Sequence, residues 1–277
     1  MKTLRAQPGG SVRATPAPVP APAPSRSPSP APVPELHSGD RLTQAEFHRL
    51  YSLQPPHVRA ELINGIVYMS SPQRDPHGIM TIKVGTVLEL YSERTPGTLA
   101  GNNTTTILGE DSEPQPDLHL RLLPEFGGRA RLDEEEYVVG PPELVVEVSH
   151  STAAVDLHLK KEDYRKAGVR EYLVVLPRPE PGQLRGFDLE NNRERNPDRQ
   201  GVWKSRVFPG LWIDGPGLLA GDTTRLRRTL ELGLATPQHA AFVKRLNAFA
   251  AKAAKAEAKK SAASERSARK GKPEGRR

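Results

Sequence analysis

The sequence predicts an α/β protein with a central mixed β-sheet flanked by helices, and three stretches carry that expectation. Residues 144–148 and 172–176 are short apolar runs of the kind buried strands use, and the helical stretch between them makes a strand–helix–strand unit. Residues 117–122 alternate strictly, with Leu118, Leu120 and Leu122 on one face and Asp117, His119 and Arg121 on the other, a half-buried strand. Ahead of these, residues 77–94 place Ile79, Ile82, Val87 and Leu90, with the methyl of Thr86, on one helical face. From His77 onward the order is helix, three strands, helix, strand, which closes as helices packed on a mixed sheet.

The ends of the chain differ from its middle. Of 28 prolines, ten fall in residues 1–34, which contain no acidic residue. Interspersed with Ala, Val and Ser, this composition offers too little apolar area to offset ordering entropy and predicts a disordered, semi-rigid arm over residues 1–35. The last 40 residues are rich in Ala, Lys and Arg. Segment charges are about +4 for residues 1–34 and +9 for 238–277; with a total of +7, the middle carries about −6. The basic character belongs to the tails, which suit phosphate-rich partners, whereas the acidic middle is no electrostatic trap for DNA. One folded domain is expected over residues 36–234, followed by a basic helical tail, 235–277, whose Phe242, Leu246 and Phe249 form an apolar stripe suited to docking on the core.

Within that domain each element has its own signal. Thr43 followed by Glu46 is a capping box and starts a short helix ending near Tyr51. Asn64-Gly65 between two apolar runs predicts a tight hairpin. Residues 104–108 are β-branched and strand-like, and 124–142 read as an irregular excursion. After Leu176 a hairpin is expected between 183–189 and 202–207, then a turn at Phe208–Trp212, then one amphipathic helix over 218–234.

No cysteine is present, which excludes disulfides, thiolate metal sites and a Cys nucleophile. Neither a membrane span nor a secretory leader is visible, so the cytoplasm is the expected compartment. Ser149, His150 and Ser151 lack a nucleophile elbow, the eight histidines lack zinc spacing, and no Gly-rich phosphate loop suggests a nucleotide cofactor.

What remains is Glu147. A carboxylate flanked by Val145, Val146 and Val148 contradicts both β-propensity and burial, and such contradictions tend to mark function. Asp117, at the polar start of a neighbouring strand, is its natural companion, and Lys160 follows in the next helix. Two converging carboxylates suit a hard divalent cation, and a nearby lysine suits a developing phosphoryl charge; together they point to metal-assisted phosphodiester hydrolysis. The plain alternatives are a strand-start Pro116-Asp117, a solvated Lys160-Lys161 face, and an ordinary i,i+4 pair between Asp156 and Lys160.

The residues Glu61-Leu62-Ile63-Asn64-Gly65, Gln115-Pro116-Asp117, Glu143 through Ser149 (ELVVEVS) and Asp156 through Tyr172 (DLHLKKEDYRKAGVREY) resemble the Uma-two family, restriction-endonuclease-like proteins of the PD-(D/E)XK nuclease superfamily. The resemblance spans roughly residues 42–214 and implies an αβββαβ core. It implies a Mg²⁺- or Mn²⁺-dependent endonuclease acting on DNA, with a homodimer expected by analogy. Carried over by position, Asp117 and Glu147 are the metal-binding carboxylates, with the Val148 carbonyl beside them. Ser149 stands where the superfamily's usual lysine would be, so Lys160 from the next helix is the matching lysine and Lys161 is not. Glu61 and His77 are accessory candidates. A non-catalytic DNA-binding or protein-interaction module on the same scaffold is the alternative.

Overall fold

The computed structural model describes residues 34–150 and 153–270, with side chains to residue 259. The proline-rich arm expected over residues 1–35 and the end of the basic tail fall almost wholly outside the described residues. In chain order the elements begin with α1 (Gln44–Tyr51), β1 (Ala60–Ile63), β2 (Ile66–Met69), α2 (Asp75–Arg94), β3 (Thr98–Asn102), β4 (Thr106–Ile107) and β5 (Leu118–Leu122). There follow β6 (Arg131–Leu132), β7 (Val138–Val139), β8 (Leu144–Val148), a π-helical turn (Val155–Lys160) running into α3 (Lys161–Ala167), and β9 (Glu171–Leu176). The chain continues with β10 (Gln183–Asp188), β11 (Arg193–Glu194), β12 (Val202–Lys204), β13 (Trp212–Asp214), α4 (Gly215–Ala220), α5 (Thr223–Leu234) and α6 (Pro237–Lys270).

The main sheet has the order β11-β10-β9-β8-β5-β3. It is mixed: β8 and β9 run parallel across the α3 connection, and the other neighbours are antiparallel. Each face is covered. On one, Val84, Leu88 and Tyr91 of α2 pack with Leu120, Leu144, Val146 and Leu173, joined by Leu218, Leu230, Phe242 and Leu246 from the C-terminal helices. On the other, Tyr164 of α3 packs with Val145, Tyr172, Val174 and Phe187. A smaller cluster of Phe47, Leu62 and Val67 fixes α1 against the β1–β2 hairpin.

Local chemistry explains the boundaries. The Thr43 hydroxyl and the Glu46 carboxylate cap α1 reciprocally, as the sequence pattern requires. Asn64 and Gly65 both take positive φ, 52° and 75°, the turn that matches the twist of a two-residue hairpin. The Leu144–Val148 strand stands where the sequence placed it.

Other expectations are corrected. Helix α2 starts at Asp75 and buries Met80, Val84, Val87, Leu88 and Tyr91, while Ile79 and Ile82 are 45% and 69% exposed, so its inward face is rotated from the predicted one. Strand β5 is buried on both faces: Leu118, Leu120 and Leu122 pack in the α2 cluster, and His119 and Arg121, 2% and 5% exposed, are not on a solvated side. Strand β10 pairs with β11, and β12 pairs with β13, so the hairpin expected between 183–189 and 202–207 does not form. The helix expected over 218–234 breaks at Gly221, φ 75°, and restarts where the Asp222 carboxylate accepts from the Arg225 amide. Of the tail's apolar stripe, Phe242 and Leu246 are buried, and the Phe249 ring lies against Gly127 at the end of a 3₁₀ turn.

Candidate active site

Four elements, β1, α2, β8 and the π-helical turn, meet the loop before β5 at one point. The register of β5 with β8 pairs Leu118 with Val146, and one further step sets Asp117 opposite Glu147 on the α3 face of the sheet. The Asp117 amide donates to Glu147 Oε2 at 3.3 Å, and the Val148 amide donates to Asp117 Oδ2 at 2.8 Å. The π-helical turn then brings Lys160 over them: its Nζ is 3.1 Å from Glu147 Oε1 and 2.9 Å from Glu61 Oε1. Glu61 arrives on the first hairpin strand, where its Oε1 also accepts from the Gln115 amide at 2.7 Å, tying the hairpin to the loop before β5. His77, in the first turns of α2, completes the group with Nε2 3.1 Å from Asp117 Oδ2. The structure thus brings together all five sequence-predicted side chains, Glu61, His77, Asp117, Glu147 and Lys160, with the Val148 backbone among them.

Lys160 is only 7% exposed, so the plain reading of a solvated lysine face does not hold for it. Lys161 lies outside the cluster: it is half-buried, with its Nζ over the Phe187 ring, 5.0 Å from the centroid. Two residues of the cluster were not among the predicted site residues. The Tyr164 hydroxyl, one turn after Lys160, donates to Glu147 Oε1 at 2.9 Å. Asp156, four before Lys160, is buried, and its charge acts on Lys160, Glu147 and His77. The i, i+4, i+8 spacing of Asp156, Lys160 and Tyr164 was the available signal, since it puts all three on one helical face.

Charge is unbalanced at this point. Burial pushes the Glu147 carboxyl well above its usual range, with Asp117, Asp156 and Glu61 reinforcing and Lys160 opposing. Burial also works against the Lys160 charge, but Glu147, Glu61 and Asp156 outweigh it and hold the ammonium well above its usual range. For Asp117, burial is outweighed by the His77 hydrogen bond and charge, the Val148 amide and Lys160, and its carboxyl is lowered. His77 is raised, first by its bond to Asp117. Nearby, the His119 imidazole is depressed to about 4 by burial and Arg121, so it is neutral, and its ring occupies space that only a glycine at position 101 leaves open.

A divalent cation fits this donor set as a two-carboxylate site completed by water. Four carboxylates face one lysine and one histidine, an excess of negative charge that burial makes costly and a cation relieves. Among the described residues Asp117 uses only Oδ2 for protein donors, and Glu147 Oε2 carries only the long 3.3 Å contact. Among the described residues no three His, Cys, Asp or Glu groups form a ready metal cage.

A family model named Uma2 and described as "Putative restriction endonuclease" matches residues 44–216, more than half of the chain. The chain belongs to the Uma2 family. Every residue of the cluster falls inside the Uma2 match. A solved structure from Anabaena variabilis ATCC 29413, described as "a putative nuclease belonging to DUF820", aligns with 68% of this chain and 99% of its own, at 14% identity and a TM-score of 0.42. No curated protein matches the chain. Among the described residues no helix is long and apolar enough to cross a membrane.

Proposed function

We propose that this Uma2 protein is a divalent-metal-dependent endonuclease that hydrolyses DNA phosphodiester bonds, with Asp117, Glu147 and Lys160 as its reacting-centre residues. The observation that carries this reading is the buried Lys160 bridge between Glu61 and Glu147, with Asp117 directly across the strand pair. A purely structural sheet has no need to bury three carboxylates and half-bury a fourth around one lysine, and buried charge of this kind is expensive unless a function uses it.

Asp117, Glu147 and the Val148 carbonyl would hold Mg²⁺ or Mn²⁺, which when bound polarises a phosphoryl oxygen and offsets its developing charge. The remaining chemistry belongs to the chain. Lys160, kept protonated by three carboxylates, orients the attacking water and stabilises negative charge on the phosphoryl group. Glu61 and Tyr164 fix the two ends of that arrangement: Glu61 holds the ammonium, and the Tyr164 hydroxyl holds the same Glu147 oxygen that Lys160 contacts. His77 holds the Asp117 carboxylate in its ionised form.

Plasmid and short duplex DNA incubated with Mg²⁺, Mn²⁺ or EDTA test the reading. Cleavage is expected with either metal and not with EDTA. Asp117→Ala and Glu147→Ala lose cleavage and metal binding, Lys160→Ala loses cleavage with the metal still bound, and Lys161→Ala keeps both. DNA binding with no cleavage under any metal would assign the chain instead to the non-catalytic, DNA-binding use of the scaffold. Loss of cleavage in Lys161→Ala alone would overturn the lysine assignment.

A further inference from the structure

A groove of about 630 Å³ leads away from the cluster. It begins at His77 and Asp117 and runs between α2 and β3, the edge strand of the main sheet. Three properties limit what fits there.

First, small residues cut back part of both its walls. Gly78 and Gly85 line the α2 side, Ala100 and Gly101 the β3 side, and Ile82, 69% exposed, stands over the opening. A side chain added at Gly78 would meet nothing within 4 Å, so the space beside it is open. A large aliphatic side chain so exposed, beside a groove that ends on buried charged groups, suits a flat, partly apolar ligand.

Second, among the described residues no lysine or arginine lines the groove; its ionisable groups are Glu89, Asp117 and His77. A track for the phosphate backbone needs cations, because phosphate neutralisation supplies most of its affinity. This groove would repel a run of phosphates. It does offer the side-chain amides of Gln73 and Asn103, which have the donor and acceptor pattern that base edges present.

Third, the groove opens on Asp117. A ligand seated in it is continuous with whatever binds at the cluster.

We propose that the groove seats an unpaired nucleotide of the DNA substrate, base and sugar between α2 and β3, with the adjoining phosphate at Asp117. The inference rests on the nuclease reading above and narrows its substrate to DNA that presents an unpaired or extruded nucleotide beside the scissile phosphate. Extruding a base costs least where it is already unpaired, so bulged, mismatched or single-stranded sites are preferred over perfect duplex.

The test uses the full chain in Ca²⁺ buffer, with fluorescence anisotropy as the binding readout. One probe is a fully paired short duplex; the other is the same duplex with one unpaired 2-aminopurine nucleotide. The unpaired probe is expected to bind about tenfold more tightly, the scale of one seated base, with a change in 2-aminopurine emission on binding. Gly78→Leu, which fills the groove from a helical position with no protein atom in its way, is expected to remove that preference while circular dichroism shows an unchanged fold. Equal affinity of the native chain for both probes, unaltered 2-aminopurine emission, or a preference intact in Gly78→Leu would each overturn the proposal. A self-association abolished by Ile82→Glu would overturn it too, by giving the groove to a second copy of the chain. Cleavage in Mg²⁺ without preference removes the groove inference and leaves the nuclease reading; preference without cleavage in any metal does the reverse.

Discussion

Replacing Lys160 by methionine separates a buried ionic cluster from an ordinary helix surface. Methionine keeps the length and the apolar stem but leaves Glu61 and Glu147, 2.9 and 3.1 Å from the lost ammonium, without their counter-charge. Breaking a buried pair in this way costs about 3–5 kcal/mol, whereas an exposed pair is worth at most about 1 kcal/mol. For a fold of this size the larger figure corresponds to a loss of roughly 6–20 °C in thermal midpoint. The pH dependence adds a second signature. Lys160 is the group that opposes the burial-driven rise of Glu147, so its loss raises that carboxyl further above 4.5. Between the unfolded and folded values the unfolded chain has released a proton that the native state keeps, so stability falls as pH rises through that window. The deficit of Lys160→Met is therefore smaller near about pH 5 and larger near about pH 8. Urea denaturation at the two pH values reads both quantities. A deficit below about 1 kcal/mol, or one identical at both pH values, would refute the buried-cluster reasoning.

Tyr164→Phe removes one of the two donors to Glu147 Oε1 and leaves Lys160 in place; a loss of about 1–3 kcal/mol in denaturant stability is expected, and none would mean that the hydroxyl bond is not formed. Asp163 is raised by burial to about 6, against the pull of its Ser112 and Asn64 hydrogen bonds. Its folded value exceeds its unfolded one, so the native chain loses stability as pH climbs from about 4 to about 6, and Asp163→Asn is expected to flatten that slope and add roughly 1–3 kcal/mol at about pH 7. Phe242→Ala empties a buried position shared with Phe208 and is expected to cost about 3–5 kcal/mol, while a stop codon after Ala250 leaves the unfolding midpoint unchanged because the residues described beyond it, to 259, are nearly all exposed. A midpoint that falls equally in both would place part of the core further along α6.

How much of this was readable from the chain depends on how local each signal is. Asn64-Gly65, the Thr43–Glu46 cap and the Leu144–Val148 run are decided within a few residues, and each appears as expected. Lys160 and Tyr164 reach the same Glu147 oxygen because the spacing between them is itself local. The face of α2 was not readable from periodicity, since Ile79 and Ile82 are apolar yet exposed, and only the fold says which stripe meets the sheet. The burial of His119 and Arg121 is likewise tertiary: an alternating strand signals one wet face, and here a second layer covers it. Strand β3 escaped because Thr98–Asn102 is short and weak in strand-forming side chains; its pairing with β5 supplies what propensity does not. The break at Gly221-Asp222, by contrast, was written in the chain as a helix stop followed by a cap.

The wide helical turn at Val155–Lys160 acts as a length buffer between Glu147 and Lys160. A π-turn holds one residue more than an α-turn in the same length of axis, and such single wide turns are often found at functional sites. Deleting one residue there, ahead of Lys160, lets the segment relax to ordinary α geometry with the chain on either side still in phase, so Lys160 and Tyr164 stay together at Glu147. Helix α3 has no residue to spare: deleting one between Lys160 and Tyr164 swings Tyr164 by about 100° relative to Lys160, at 3.6 residues per turn. The wide turn is therefore a spacer that holds slack: substitutions at its exposed Leu159 and the loss of one residue are expected to be harmless, and a deletion in α3 is not.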